Sequence, residues 1–171
     1  MKTTEIEKKI EHLLPMEIEK RSFEIIAEEL AARKIVLPPD QDPITRRVIH
    51  TSADFEYAET MRYSEGAIAR AKELICSGAD IVTDTNMALS GINKKQLAKF
   101  GGQVHCFMAD ETVAKLAAER KTTRAAVSME MAAKIDKPVI FAVGNAPTAL
   151  IQLYEMIQQG SYTPAFIIGV P

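Results

Sequence analysis

Hydrophobic positions along the chain follow two rhythms, a helical one at the start and an alternation of short apolar runs with helices afterwards. Met1 to Leu14 is polar and charged and reads as a loose or partly helical lead-in. From Pro15, Ile18, Ile25, Ile26 and Leu30 recur at roughly helical spacing with Phe23 beside them, and glutamates and a lysine fill the other face. A proline in the first turn, with Glu17 and Glu19 near the positive end of the dipole, predicts the helix start. Its end is expected near Arg33 or Lys34. Pro38-Pro39 makes Ile35 to Asp42 a linker. Asp42-Pro43 then signals a second helix, with Asp42 as cap and Pro43 in its first position. Ile44, Val48 and Ile49 are expected to share its buried face, with Thr45 and Arg46 pointing elsewhere and His50 in the last turn. Asp54 to Tyr63 reads as extended, with Met61-Arg62-Tyr63 as the strand candidate.

From Ser64 onward the pattern becomes α/β. A helix capped by Ser64, with Ile68, Leu74 and Ile75 on its apolar side, stops at Gly78. Strands are predicted at Asp80-Ile81-Val82-Thr83, Gln103 to Phe107, Pro138 to Val143 and Ala165 to Gly169. Helices are predicted at Lys94 to Phe100, from Asp110 through Glu119, over Thr123 to Lys134, and from Gly144-Asn145-Ala146-Pro147 to near Gln159, with Gly160 as stop. Strands that are apolar throughout are the kind buried on both faces of a parallel sheet. The expectation is a single domain over residues 1–171 with a Rossmann-like, three-layer α/β/α fold and a mainly parallel sheet. Ligands in such folds sit outside the carboxyl ends of the strands. That rule singles out Asp84 to Met87, Gly144 to Thr148 and Gly169 to Pro171. The helix after Gly144 is read in two ways, as an ordinary tight turn or as an anion site built from free backbone N–H groups.

Composition narrows the function classes. The chain has 171 residues, 47% of them hydrophobic and 26% charged, the balance of a globular protein with one sizeable core. Its net charge of -2 offers no cationic field for nucleic acid or anionic lipid. No apolar run approaches membrane-spanning length, and the charged start lacks a signal-peptide core. Cys76 and Cys106 stand isolated, which points to buried, inert thiols in a reducing, cytoplasmic setting. The dinucleotide, P-loop and nucleophile-elbow motifs are all absent. Three scattered histidines, at 12, 50 and 105, argue against a metal site. Met87, Met108, Met129 and Met131 are read first as core filler.

The remaining chemistry concentrates in Arg46-Arg47-Val48-Ile49-His50-Thr51-Ser52. Imidazole titrates near neutral pH and arginine suits carboxylate or phosphate. On these residues alone His50 is either an acid beside an anionic ligand or a satisfied histidine at a helix end. Arg124, just inside the alanine-rich helix start Thr122-Thr123-Arg124-Ala125-Ala126, is equally balanced between anchoring an anion and facing water.

Several segments together resemble the precorrin-8X methylmutases, including the cobalt-precorrin-8 members. They are Ile18-Glu19-Lys20-Arg21-Ser22-Phe23, Arg47-Val48-Ile49-His50-Thr51-Ser52-Ala53-Asp54 and Met61-Arg62-Tyr63-Ser64-Glu65-Gly66-Ala67. Asp84-Thr85-Asn86-Met87 follows, then Ser90-Gly91-Ile92, Thr123-Arg124-Ala125-Ala126, Val143-Gly144-Asn145-Ala146-Pro147-Thr148-Ala149-Leu150 and Ile168-Gly169-Val170-Pro171. The resemblance implies a homodimeric isomerase of cobalamin biosynthesis. It would move a methyl group from C-11 to C-12 of a corrin precursor, giving hydrogenobyrinic acid or its cobalt counterpart, with no cofactor. His50 would be the general acid, and Arg21, Ser22, Arg47, Thr51, Ser52, Arg124, Asn145 and Thr148 the polar contacts of a tetrapyrrole rich in carboxylates. Met87 would lie under the ring. Family members continue past the equivalent of Gly169-Val170-Pro171, so the chain is expected to lack the family's C-terminal segment. The alternative reading is a corrinoid-binding protein that does not rearrange its ligand.

Overall fold

The structure is a computed structural model that describes residues 14–170. The lead-in expected before Leu14, with His12 in it, and Pro171 lie outside the described residues. The fold divides into two compact units, Met1–Ile68 and Ala69–Pro171.

The first unit is helical, with α1 (Pro15–Ala32), α2 (Asp42–Ser52) and α3 (Tyr57–Thr60). At the start of α1 the Glu17 carboxylate accepts the Leu14 N–H at 3.1 Å, satisfying one orphan donor. Ile26 and Leu30 of α1 bury against Ile49 of α2, and Phe23, Ile35, Leu37, Phe55 and Tyr57 close around them. The Arg33 guanidinium lies 4.5 Å over the Phe55 ring.

Three local expectations are corrected here. Asp42 lies inside α2, and its carboxylate accepts from Arg46 Nε at 2.8 Å instead of capping the backbone. The buried pair on α2 is Thr45 and Ile49, whereas Ile44 is 39% exposed. Thr45 can turn inward because its hydroxyl lies 3.0 Å from the Tyr63 hydroxyl, which removes the cost of burying it. Met61-Arg62-Tyr63 is not a strand: α3 precedes it, and Tyr63 is committed to Thr45 rather than to a sheet.

The chain enters the second unit along α4 (Ala67–Cys76). It continues with β1 (Asp80–Thr83), α5 (Asn86–Gly91), α6 (Lys94–Ala98), β2 (Val104–His105), α7 (Glu111–Arg120), α8 (Arg124–Ala132), β3 (Val139–Val143), α9 (Pro147–Gln158) and β4 (Phe166–Gly169). The four strands are all parallel, in the order β2-β1-β3-β4. Val82, Val139, Phe141 and Val143 face α8 and α9, packing on Ala125, Met129, Ala132, Ala149 and Leu153. Ile140, of opposite parity in β3, packs with Leu74 of α4 on the other face. The three-layer α/β expectation therefore holds for this unit. α7 packs outside α8 through Val113, Ala117 and Val127.

Helix ends follow local chemistry. Asp110 accepts from the N–H groups of Thr112 and Val113, and Thr123 caps α8 through Ala126 N–H. Gly78 ends α4 at φ +86°, where an added Cβ would sit 2.7 Å from the Phe100 carbonyl oxygen. α5, not expected from the sequence, is capped by the Thr85 hydroxyl at 3.1 Å from Ala88 N. β2 spans two residues rather than five.

Asp80 opens β1 and is 4% exposed. Its carboxylate accepts the Gln103 N–H at 2.9 Å and His105 Nε2–H at 2.8 Å, and Lys137 Nζ lies 3.5 Å away. Burial pushes its pKa up, but the His105 and Gln103 hydrogen bonds and the Lys137 and His105 charges outweigh burial and leave it lowered. A lowered folded value means that Asp80 stabilises the fold above its unfolded value, near 3.8, and that this contribution is lost as pH falls through the folded value. The melting temperature should therefore drop on acidification below about pH 4, and Asp80→Asn should show a shallower acid slope, read by thermal melts between about pH 2 and 7. An Asp80→Asn slope equal to wild type would contradict this account.

Candidate active site

α1 and α2 meet at His50. Helical phase from Pro43 brings it into the last turn of α2, and Ala53 in the left-handed region ends the helix, its N–H bonded to Ile49 O at 2.8 Å. Ser22 on α1 places its hydroxyl 2.7 Å from His50 Nδ1. The Phe23 ring stacks on the imidazole with centroids 5.2 Å apart and 20° between planes. On Phe23 also lies the Arg47 guanidinium, 4.8 Å from the ring centroid, and Arg47 is paired with Glu19 at 2.5 Å. Imidazole and guanidinium are thus held by one aromatic ring, and Nδ1 is tied to Ser22. Nε2 is the ring nitrogen left for a ligand.

His50 opens on a cleft of about 370 Å³ lined on α1 by Ile18, Arg21, Ser22 and Ile25, and closed by Phe55. Its walls are mainly apolar with a few convergent polar groups, as small-molecule sites are. The volume lies near the low end for drug-sized ligands. Ile18 and Ile25 stay 54% and 48% exposed, although their spacing assigns them to the buried face of α1. An apolar face wider than one helical partner can cover is the sequence signal for such a wall.

The sequence-selected polar residues of this unit divide by what they already touch. Arg21 lies 3.5 Å from Glu24 and 3.7 Å from Glu28. Thr51 and Ser52 donate their hydroxyl protons back to the carbonyls of Arg47 and Val48, at 2.9 and 2.8 Å, and Ser52 also accepts the Asp54 N–H. Both are exposed and keep acceptor capacity for a ligand, not their protons.

In the second unit the remaining candidates gather at the carboxyl ends of the strands. Met87, 84% exposed on α5, is not core, whereas Met129 is wholly buried and Met108 packs against the same cluster. Thr148 in the first turn of α9 accepts from the Thr123 hydroxyl at 3.0 Å, which sets the starts of α8 and α9 side by side. Arg124 follows Thr123 directly. Seven of the eight arginines bond to acceptors of the protein, and Arg124 alone among the described residues does not. An exposed guanidinium without a partner beside two helix N-termini is suited to carboxylate. Asn145 is exposed on the turn before α9. Of the two readings of that turn, a free backbone anion site does not hold: the Asp84 carboxylate accepts the N–H groups of Gly144, Asn145 and Ala146 at 3.2, 2.7 and 2.7 Å. Among the described residues, no three His, Cys, Asp or Glu side chains converge as metal ligands would, and no helix is long and apolar enough to cross a membrane.

Comparison with known proteins gives a consistent answer. Residues 17–171 match the family described as precorrin-8X methylmutase. The chain is 41% identical over 157 residues to the cobalt-precorrin-8 methylmutase of Priestia megaterium, which covers 92% of this chain and 69% of the relative. It is 37% identical over 161 residues to the cobalt-precorrin-8 methylmutase of Salmonella typhimurium, covering 92% and 75%. The crystal structure of the precorrin-8X methyl mutase from Thermus thermophilus superposes with a TM-score of 0.78 at 37% identity, over 91% of this chain and 74% of that one. On sequence and fold together, the chain belongs to the precorrin-8X methylmutase family.

Proposed function

We propose that this chain is an isomerase of cobalamin biosynthesis that moves a methyl group from C-11 to C-12 of precorrin-8X or cobalt-precorrin-8, with His50 as general acid. The observation that carries the role of His50 is its contact with Ser22 at the apolar cleft. With Nδ1–H donating to the Ser22 hydroxyl, the imidazole can give the proton on Nε2 and take it back without turning or changing its other hydrogen bond. Protonation makes the macrocycle electron-poor and eases the shift of the methyl group between adjacent ring carbons. The proton lent is returned once the methyl has moved, so atoms and charge balance without a co-reactant. One placed acid supplies roughly two to four orders of magnitude in rate. Holding the ring edge in a shaped apolar cleft supplies orientation and excludes water.

The polar groups suit the periphery of such a substrate. Arg124, with no partner among the described residues, Asn145 and Thr148 are the carboxylate contacts of the second unit. Arg21, Ser22, Arg47, Thr51 and Ser52 are those of the first, with Ser22 holding the imidazole and Arg47 shared between Glu19 and the Phe23 face. Met87, 84% exposed, offers an adaptable, polarizable apolar contact under the ring. Incubation with precorrin-8X or cobalt-precorrin-8 tests the reading. The rearranged corrin should form catalytically; a substrate that binds and is returned unchanged would mark a corrinoid-binding protein instead.

The chain is further read as a cytoplasmic homodimer. Cys76 and Cys106 are both free, and neither is buried as expected: Cys76 is exposed and Cys106 half-buried; two free cysteines suit a reducing compartment. Ile151, Tyr154 and Ile157 remain 54%, 62% and 40% exposed on α9, more apolar surface than one helix usually leaves to water. Sedimentation at micromolar concentration should give twice the 18.9 kDa chain mass, and a monomer would contradict the dimer.

A further inference from the structure

The chain runs from β1 to β2 on one side and then crosses back to β3 on the other, so the carboxyl ends of β1 and β3 flank the sheet's topological switch point. Open α/β folds leave their ligand crevice there. In this chain the point is filled from within. Asp84, the first residue after β1, is 1% exposed, and both of its oxygens are spent on the three N–H groups that lead into α9. Bonds of this kind, from backbone N–H to carboxylate, are stronger than neutral ones.

We propose that Asp84 is a positioning residue for substrate binding. By holding the Gly144–Ala146 turn from inside, it sets Asn145 and Thr148 toward the carboxylates of the corrin precursor. It also denies those carboxylates the main-chain site at the start of α9, leaving recognition to side chains. The proposal rests on reading Asn145, Thr148 and Arg124 as substrate contacts. The linkage is continuous: the turn fixes the first residues of α9, Thr148 there accepts from Thr123, and Thr123 caps the helix that begins at Arg124. Asparagine cannot replace the carboxylate, because it offers one acceptor oxygen where two are used and turns an NH2 toward N–H donors.

The test compares wild type, Asp84→Asn and Arg124→Met for binding of hydrogenobyrinic acid, followed by visible absorption, and for steady-state kinetics. Asp84→Asn should raise Kd and KM about tenfold or more while kcat stays within about threefold of wild type, and Arg124→Met should raise Kd similarly. An Asp84→Asn enzyme with unchanged Kd and KM beside a weakened Arg124→Met overturns the role of Asp84 and leaves the substrate reading intact. Unchanged binding in both overturns that reading as well. A fall in kcat with KM unchanged also refutes the proposal. Should Asp84→Asn fail to fold, wild-type hydrogen exchange decides: product binding should slow the Gly144, Asn145 and Ala146 amides about tenfold or more, and unaltered rates overturn the proposal.

Discussion

His50→Ala is expected to lower kcat by about two to four orders of magnitude while leaving product affinity within about threefold of wild type. Substitution removes an imidazole whose Nδ1 is held by Ser22 and whose Nε2 has no partner among the described residues. It leaves the packing of the first unit largely in place, because the buried cluster there is Ile26, Leu30 and Ile49, and His50 is only partly buried. The loss should therefore fall on kcat, as it does when an interaction is made mainly in the transition state. His50→Gln offers a sharper comparison: it can hydrogen-bond to Ser22 but cannot donate a proton near neutral pH, so it should be as slow as the alanine variant. A rate loss under about tenfold in both would remove His50 from the chemistry.

Phe141→Ala should have the largest effect on stability. Phe141 lies in the middle of β3, flanked in register by Val82 and Ile167, with no exposed surface. The edge of Tyr162 meets it at 6.0 Å and 79°. Truncating a wholly buried phenylalanine costs about 3–5 kcal/mol, from lost transfer energy plus the cavity left behind. Against a typical domain stability of about 5–15 kcal/mol this leaves the second unit marginal. Equilibrium denaturation followed by far-UV circular dichroism reads the change. A loss under about 1 kcal/mol would mean that the core closes over the gap, which the opposed sheet and helices make difficult.

What the sequence made legible was mostly local. Pro15 and Pro43 mark helix starts, Gly78 and Gly160 helix stops, and the apolar runs at Asp80–Thr83, Val139–Val143 and Phe166–Gly169 are strands within a residue or two of their expected ends. What stayed hidden depends on partners far along the chain. Tyr63 reads as a strand residue by propensity, but a hydrogen bond to Thr45, 18 positions earlier, turns it inward and turns Thr45 with it. His50 was legible as a candidate acid, but the Ser22 contact that selects its free nitrogen spans 28 positions. The turn at Gly144 reads either as an ordinary turn or as an anion site, because its local sequence permits both. The occupying carboxylate, Asp84, comes from 60 positions away, and no local pattern announces it. Ile18 and Ile25 fit a helical stripe that periodicity assigns to the core, yet they stand at a cleft, because periodicity records a face without recording what covers it.

The central claim is that the chain catalyses the methyl shift through a proton from His50. It is tested most directly by single-turnover mixing of cobalt-precorrin-8 with wild type and with His50→Ala, the corrin product being followed by its visible spectrum. Wild type should give product, and the variant should hold a bound substrate that converts slower by about two to four orders of magnitude. Equal conversion by both proteins, or none by wild type, would contradict it.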